Sequence, residues 1–218
     1  MQNYSRIMDY HVHSTFSDGF HSIPEMVNAA IGNNVQELCF TDHFSSFKPS
    51  LDVTILGEYI EGITTIKKQF SSQIKVHHGI EIDMSSNEFF DKLMNYSWQL
   101  ILFEYVFSAP AWENNFTIVC QLKKEYPSLK IGLAHPSMMR LSLEKLNLAL
   151  EAIRSLQIII EANASYENYR EPWFANLDDG FTFTVGSDAH ESQSIGKVQK
   201  ALDFFRNQNI PENCIIRL

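Results

Sequence analysis

A chain of 218 residues with 44% hydrophobic and 20% charged residues, 9 Gly and 7 Pro has the balance of a single folded domain, and residues 1–218 are read as one. Its formal net charge of −9 argues against a broad basic face for nucleic acid or an anionic membrane, although bound divalent cations would turn an acidic pocket locally into an anion site. Cys39, Cys120 and Cys214 are too few and too widely spaced for a disulfide framework or a paired-cysteine zinc motif; no run approaches the ~18 apolar residues of a membrane span, and no leader pattern opens the chain, so the cytoplasm is the expected location.

In chain order, the first apolar run is Ile7–His11. A helix is expected from Ser22-Ile23-Pro24-Glu25, which offers an N-cap, a first-turn proline and an early acid, with Met26, Val27, Ala30 and Ile31 on one face. Strand-like runs follow at Glu37–Thr41, Ile74–Ile82, Gln99–Phe107, Lys130–Ala134, Leu156–Ala162 and Phe181–Gly186, and helical spacing at Ile55–Phe70, Asn87–Tyr96, Asn114–Lys124, Ser142–Ser155 and Ser194–Asn207. The last helix carries the stripe Ile195, Val198, Ala201, Leu202, Phe205, which reads as core. Near-continuous apolar strands alternating with amphipathic helices indicate parallel βα units, but periodicity leaves an open sheet and a closed barrel both possible.

The polar residues gather where such folds keep their chemistry, at the carboxyl ends of the strands. The first strand ends in His11-Val12-His13, and alternation puts both imidazoles on one side; Asp18 follows in the next loop. Successive ends then give Thr41-Asp42-His43, Gly79-Ile80-Glu81, Phe103-Glu104-Tyr105, Ala134-His135-Pro136, Glu161-Ala162-Asn163 and Gly186-Ser187-Asp188-Ala189-His190. Imidazole nitrogens mixed with hard carboxylate oxygens, and no cysteine, suit zinc, manganese or iron(II) in a reactive rather than a structural site. Any one of these histidines taken alone is more simply a satisfied core residue; their joint position is what reverses that reading. His77 and His78, inside a strand, are left out of the set, and Asp42 and Asp83 alternate to the other face, where orienting a ligand or capping a helix suits them better than ligation.

Taken in order over nearly the whole chain, the six motif pieces other than Phe103-Glu104-Tyr105 resemble the polymerase and histidinol phosphatase (PHP) family, on its branch of histidinol-phosphatase-like phosphoesterases. The resemblance implies a distorted seven-stranded (β/α)7 TIM-like barrel with two or three divalent ions (Zn, Mn or Fe) at the strand ends. It implies that His11, His13, Glu81 and Asp188 hold one ion, that Glu81 bridges to a second which also uses His135, and that Asp18, His43 and His190 hold a third. Glu81, Asp188 and His190 are the members expected to carry catalysis. The implied activity is hydrolysis of a small phosphomonoester, histidinol phosphate-like or other, by a metal-activated hydroxide.

The chain departs from the family at the fourth strand, where many members have Gly-Ser-Val-His and this sequence has Phe103-Glu104-Tyr105-Val106. Either Glu104 serves as a metal ligand in place of that histidine or the second site is weaker. Glu191 stands where relatives can carry a basic residue, so Arg170, after the sixth strand, is the expected phosphate clamp, with Arg140 a second choice. His21, which also fits a helix start, is a further substrate-contact candidate, and His21 and Glu104 are the places to look for a general acid. Phe16, Phe44, Phe47, Tyr166, Tyr169 and Trp173 either line a pocket or seal the barrel mouth. Rival functions on the same fold are hydrolysis of an amide or cyclic ester and metal binding without turnover.

Overall fold

The computed structural model describes residues 6–85, 90–108 and 111–218. Among the described residues there are eight parallel strands: β1 Ile7–Val12, β2 Val35–Phe40, β3 His43–Phe44, β4 Lys75–Asp83, β5 Leu100–Glu104, β6 Ile131–Leu133, β7 Ile159–Asn163 and β8 Thr182–Gly186. The sheet order is β1-β2-β4-β5-β6-β7-β8, with β3 pairing β4. The two-residue β3 resumes the path of β2 after a break at Thr41-Asp42, setting His43 opposite Glu81, so the ring has seven staves. The choice between open sheet and barrel falls to the barrel. Its seam closes at the mouth, where Val12 bridges Ala189, His13 N–H donates to Ala189 O and Asp188 N–H donates to His11 O.

The helices are α1 Ile23–Gly32, α2 Leu56–Gln69, α3 Phe90–Leu93, α4 Trp112–Glu125, α5 Leu143–Leu156 and α6 Gln199–Asn207. α1 starts where its capping residues lie, with Glu25 accepting from the Ser22 backbone N–H at 2.8 Å. Of the helix expected over Asn87–Tyr96, residues 87–89 lie outside the described residues and only Phe90–Leu93 is helical among the rest. α6 begins later than its apolar stripe suggests. Gly196 takes φ +75° and donates its N–H to Asp9 Oδ2, which breaks the helix there, yet Ile195, Val198, Ala201, Leu202 and Phe205 are all buried as the stripe requires. β5 stops at Glu104, short of the run to Phe107, because Tyr105 adopts φ +58°.

Alternation sorts the strand residues into two layers. On β1, Met8, Tyr10 and Val12 join the apolar core, whereas Asp9, His11 and His13 form the buried polar set. No helix among the described residues is long and apolar enough to cross a membrane.

Candidate metal centre

The carboxyl ends of β1, β3, β4, β6 and β8, with the β1–α1 loop and the turn after β8, deliver the polar cluster at the barrel mouth. Glu81, fully buried on β4, lies at its centre: Oε2 is 3.2 Å from His11 Nε2 and 2.7 Å from His43 Nδ1, and Oε1 is 3.2 Å from His135 Nε2. Asp188 Oδ1 lies 3.0 Å from His13 Nε2 and 3.5 Å from His11 Nε2. Asp18 joins from the β1–α1 loop, 3.1 Å from His190 Nε2 and 3.5 Å from His43 Nε2. His135 and Asp188 hold left-handed backbone, at φ 29° and 57°, where their strands end and the chain turns across the mouth.

A layer of buried carboxylates braces these side chains. Glu161 Oε1 faces His11 Nδ1 at 2.8 Å and its Oε2 accepts from the His135 backbone N–H at 2.7 Å, leaving His11 Nε2 directed at Glu81. Asp42 accepts from Ser14 N–H, Ser14 Oγ–H and Ser17 Oγ–H, fixing the loop that carries Asp18. Asp9 accepts from the backbone and hydroxyl of Ser187, beside Asp188. The space between β1 and β7 has no room for another atom: a Cβ at Gly186 would overlap Glu161 Oε1 and His11 Cβ.

The electrostatics are those of a cation site. Burial favours the neutral form of His11, but Glu161, Glu81 and Asp188 outweigh it and hold the imidazole well above its usual range. His43 is raised to about 9, its hydrogen bonds to Asp18 and Glu81 overcoming burial. Burial would raise Glu81 and Asp188, yet the facing imidazoles keep both below the ordinary carboxylate range. His13 is pushed down to about 4 by burial, with the charges of His43 and His11 adding to it. Protons on imidazoles thus balance the carboxylates, the role that divalent ions take over when ligands lose protons on binding.

The residues present fit such ions. His13, Asp18, His43 and His190 offer ligand atoms all within 4.8 Å of one another, as do His11, His135 and Asp188, and His11, His13 and Glu81. His11 Nε2 and Glu81 Oε2 are buried without a well-formed hydrogen bond, although they face each other. His43, Glu81 and Glu104 form a fourth group, but Glu104 Oε1 also lies 2.6 Å from Lys48 Nζ.

Beside His135 a cavity of about 220 Å³ opens, lined by Phe103, Tyr105, Val106, Phe107 and Tyr166 among others. Tyr166 stacks on the His135 ring with centroids 4.3 Å apart. Phe44 and Trp173 are buried, whereas Phe47 is 74% exposed.

The expected substrate groups make contacts of their own. Arg170 is exposed and paired with Glu167 Oε2 at 2.7 Å. Arg140 is exposed, and His21 Nδ1 accepts from the Ser192 backbone N–H at 3.4 Å. Lys48 escaped the sequence reading because a loop lysine near a strand end has no spacing signal. Glu161 was within a quoted motif, but only the fold shows that it serves two histidines.

Fold and site together define a parallel α/β barrel with a multi-imidazole, multi-carboxylate centre at its carboxyl end. The PHP domain model matches residues 9–205, and the chain belongs to this family. A histidinol-phosphatase of Lactococcus lactis is 35% identical over 77 residues, 34% of this chain and 29% of that protein. A DNA polymerase/3′-5′ exonuclease of Bacillus subtilis is 33% identical over 78 residues, 35% of this chain and 14% of that protein. The matched stretches thus span less than a third of these curated relatives. Among solved structures, the L. lactis histidinol phosphate phosphatase complexed with zinc, L-histidinol and phosphate superposes with a TM-score of 0.64, at 18% identity, over 94% of both chains. The metal-dependent tyrosine phosphatases of B. subtilis and Streptococcus pneumoniae give 0.65, at 18% identity, over 95% of this chain and 89% of theirs. At these identities the superpositions speak for the fold.

Proposed function

We propose that this protein is a metal-dependent phosphoesterase acting on a small phosphomonoester. The observation that carries the reading is the convergence of five histidines, His11, His13, His43, His135 and His190, on Glu81, Asp18 and Asp188 at the mouth of the barrel. The phosphatase relatives support the choice of bond.

In this reading His13, Asp18, His43 and His190 hold one divalent ion, His11, His135 and Asp188 hold another, and Glu81 lies between them. When bound, such ions polarise phosphoryl oxygens and activate water near neutral pH. The chain's own part is orientation: Glu161 fixes the His11 ring and the His135 backbone, Asp42 fixes the Asp18 loop and Asp9 fixes the Asp188 turn. The cavity beside His135 receives the leaving group, and its aromatic walls exclude water from one side of the reacting centre. Arg170 serves as a phosphate clamp only by exchanging Glu167 for the substrate. That engagement is what favours, as the second reading, hydrolysis of an amide or cyclic ester, which needs no anion clamp.

Metal-stripped protein reloaded with manganese or zinc is expected to hydrolyse p-nitrophenyl phosphate and to select among a panel of phosphomonoesters. Turnover of amides or cyclic esters with no phosphomonoester cleaved overturns the phosphoesterase reading.

A further inference from the structure

Glu104 is 1% exposed at the end of β5, two residues before Val106, which stands where the family resemblance puts a metal-binding histidine. A buried carboxylate beside the Glu81 carboxylate requires a cation or a proton. The nearest cation belongs to the chain itself. Lys48 Nζ lies 2.6 Å from Glu104 Oε1, 3.3 Å from His43 Nε2 and 5.4 Å from the centroid of the Tyr105 ring. Of the group His43, Glu81 and Glu104, two members therefore touch this ammonium.

The loop that delivers Lys48 is braced on both sides. Ser45 Oγ–H donates to Asp83 Oδ2 at 2.8 Å, Ser50 Oγ–H donates to Ser45 O at 2.6 Å, and Leu51 N–H returns to His43 O at 2.8 Å. A held loop lowers the entropic cost of fixing a long side chain. The Lys48 side chain is only 22% exposed, so its charge is partly withdrawn from water toward the acid.

We propose that Lys48 is a tethered cation that takes the place of a metal ion at the β5 end of the cluster, so that this chain holds two divalent ions rather than three. The inference rests on the metal-centre reading above and deepens it. An ammonium brings one positive charge and no lone pair, so it neutralises Glu104 without ligating anything, and it repels a divalent ion from the oxygen it covers. The groups His13, Asp18, His43, His190 and His11, His135, Asp188 share no residue and do not include Glu104, which leaves two candidate ion sites, and Lys48 meets one residue of the first, His43.

The test is metal stoichiometry by elemental analysis after stripping, reloading with excess manganese and desalting. The wild type is expected to retain two equivalents per chain, Glu104→Gln also two, and Lys48→Met three, because the uncovered carboxylate then recruits an ion. Lys48→Arg, which keeps the charge, should retain two. If Lys48→Met fails to fold, Glu104→Gln decides: two equivalents uphold the proposal, and loss of one makes Glu104 a ligand and overturns it. Three equivalents in the wild type, or two in a folded Lys48→Met, overturn it while sparing the metal centre. One equivalent or fewer in the wild type overturns both.

Discussion

The two ends of the barrel each bury a glutamate among histidine and basic partners, and only one has the makings of a reactive site. At the amino end, Glu37 is 1% exposed and satisfied by groups that donate: Tyr10 Oη–H at 2.7 Å and Lys75 Nζ at 3.1 Å, with His77 Nε2 at 3.9 Å. At the carboxyl end, Glu81 meets imidazole nitrogens, which bind either a proton or a metal. A buried acid with committed donors is a structural fixture. One whose partners can change occupant is a binding site. The contrast is between kinds of partner, not between degrees of burial.

The largest effect expected from breaking this contrast is on activity. Glu81→Gln should lower phosphomonoester turnover by about 10³-fold and reduce bound metal, because the carboxylate between the two proposed ion sites loses its charge. Glu37→Gln should leave metal content unchanged and instead cost about 1–3 kcal/mol of stability in denaturant unfolding, as Tyr10 and Lys75 lose a charged acceptor. Metal loss in the Glu37 variant, or full activity in the Glu81 variant, would dissolve the distinction.

An intermediate effect is expected from Glu161→Ala, which touches the cluster only through His11 and the His135 backbone. Metal affinity by competition with a chelator should weaken by about 10–100-fold. An unaltered affinity would show that the His11 ring is oriented by packing alone.

The smallest effect concerns pH, and in metal-free protein His43 at the carboxyl end and His77 at the amino end carry it with opposite signs. His43, raised to about 9, contributes stability that is fully present below the ~6.5 of an unfolded histidine and is lost as pH rises through about 9. His77, pushed down to about 4 by burial and by Lys67, contributes stability present above ~6.5 and lost as pH falls through about 4. Melting temperatures across pH should therefore decline at both extremes. His43→Gln should flatten the alkaline limb, and His77→Gln the acid limb; the same limb flattened by both would sink the assignment.

Much of the barrel was legible because each stave is a short apolar run ending in a polar residue, a pattern set by the local alternation of parallel strands. His11 and His13 could be placed on one face from spacing alone, and both reach Glu81 or Asp188 in the fold. What could not be read depends on long-range approach or backbone conformation. β3 is two residues long and exists because β4 runs beside it. The late start of α6 comes from Gly196 meeting Asp9, 187 residues earlier in the chain. Lys48 and Glu104 lie on different strand ends, and no periodicity relates them. Arg170, placed on the site face by its position after β7, is held by a neighbour in its own turn, a contact that strand order does not encode.

The seam between β1 and β8 has a consequence for biosynthesis. His13 and Asp188 are 175 residues apart, so the cluster forms only when the two ends of the barrel meet. During translation His11 and His13 emerge early, while Asp188 and His190 follow after seven further strands have left the ribosome. A growing chain therefore offers only partial sets of these ligands until Asp188 and His190 arrive, and the full constellation appears with ring closure. On the proposed reading, ion binding is thereby timed to the end of folding.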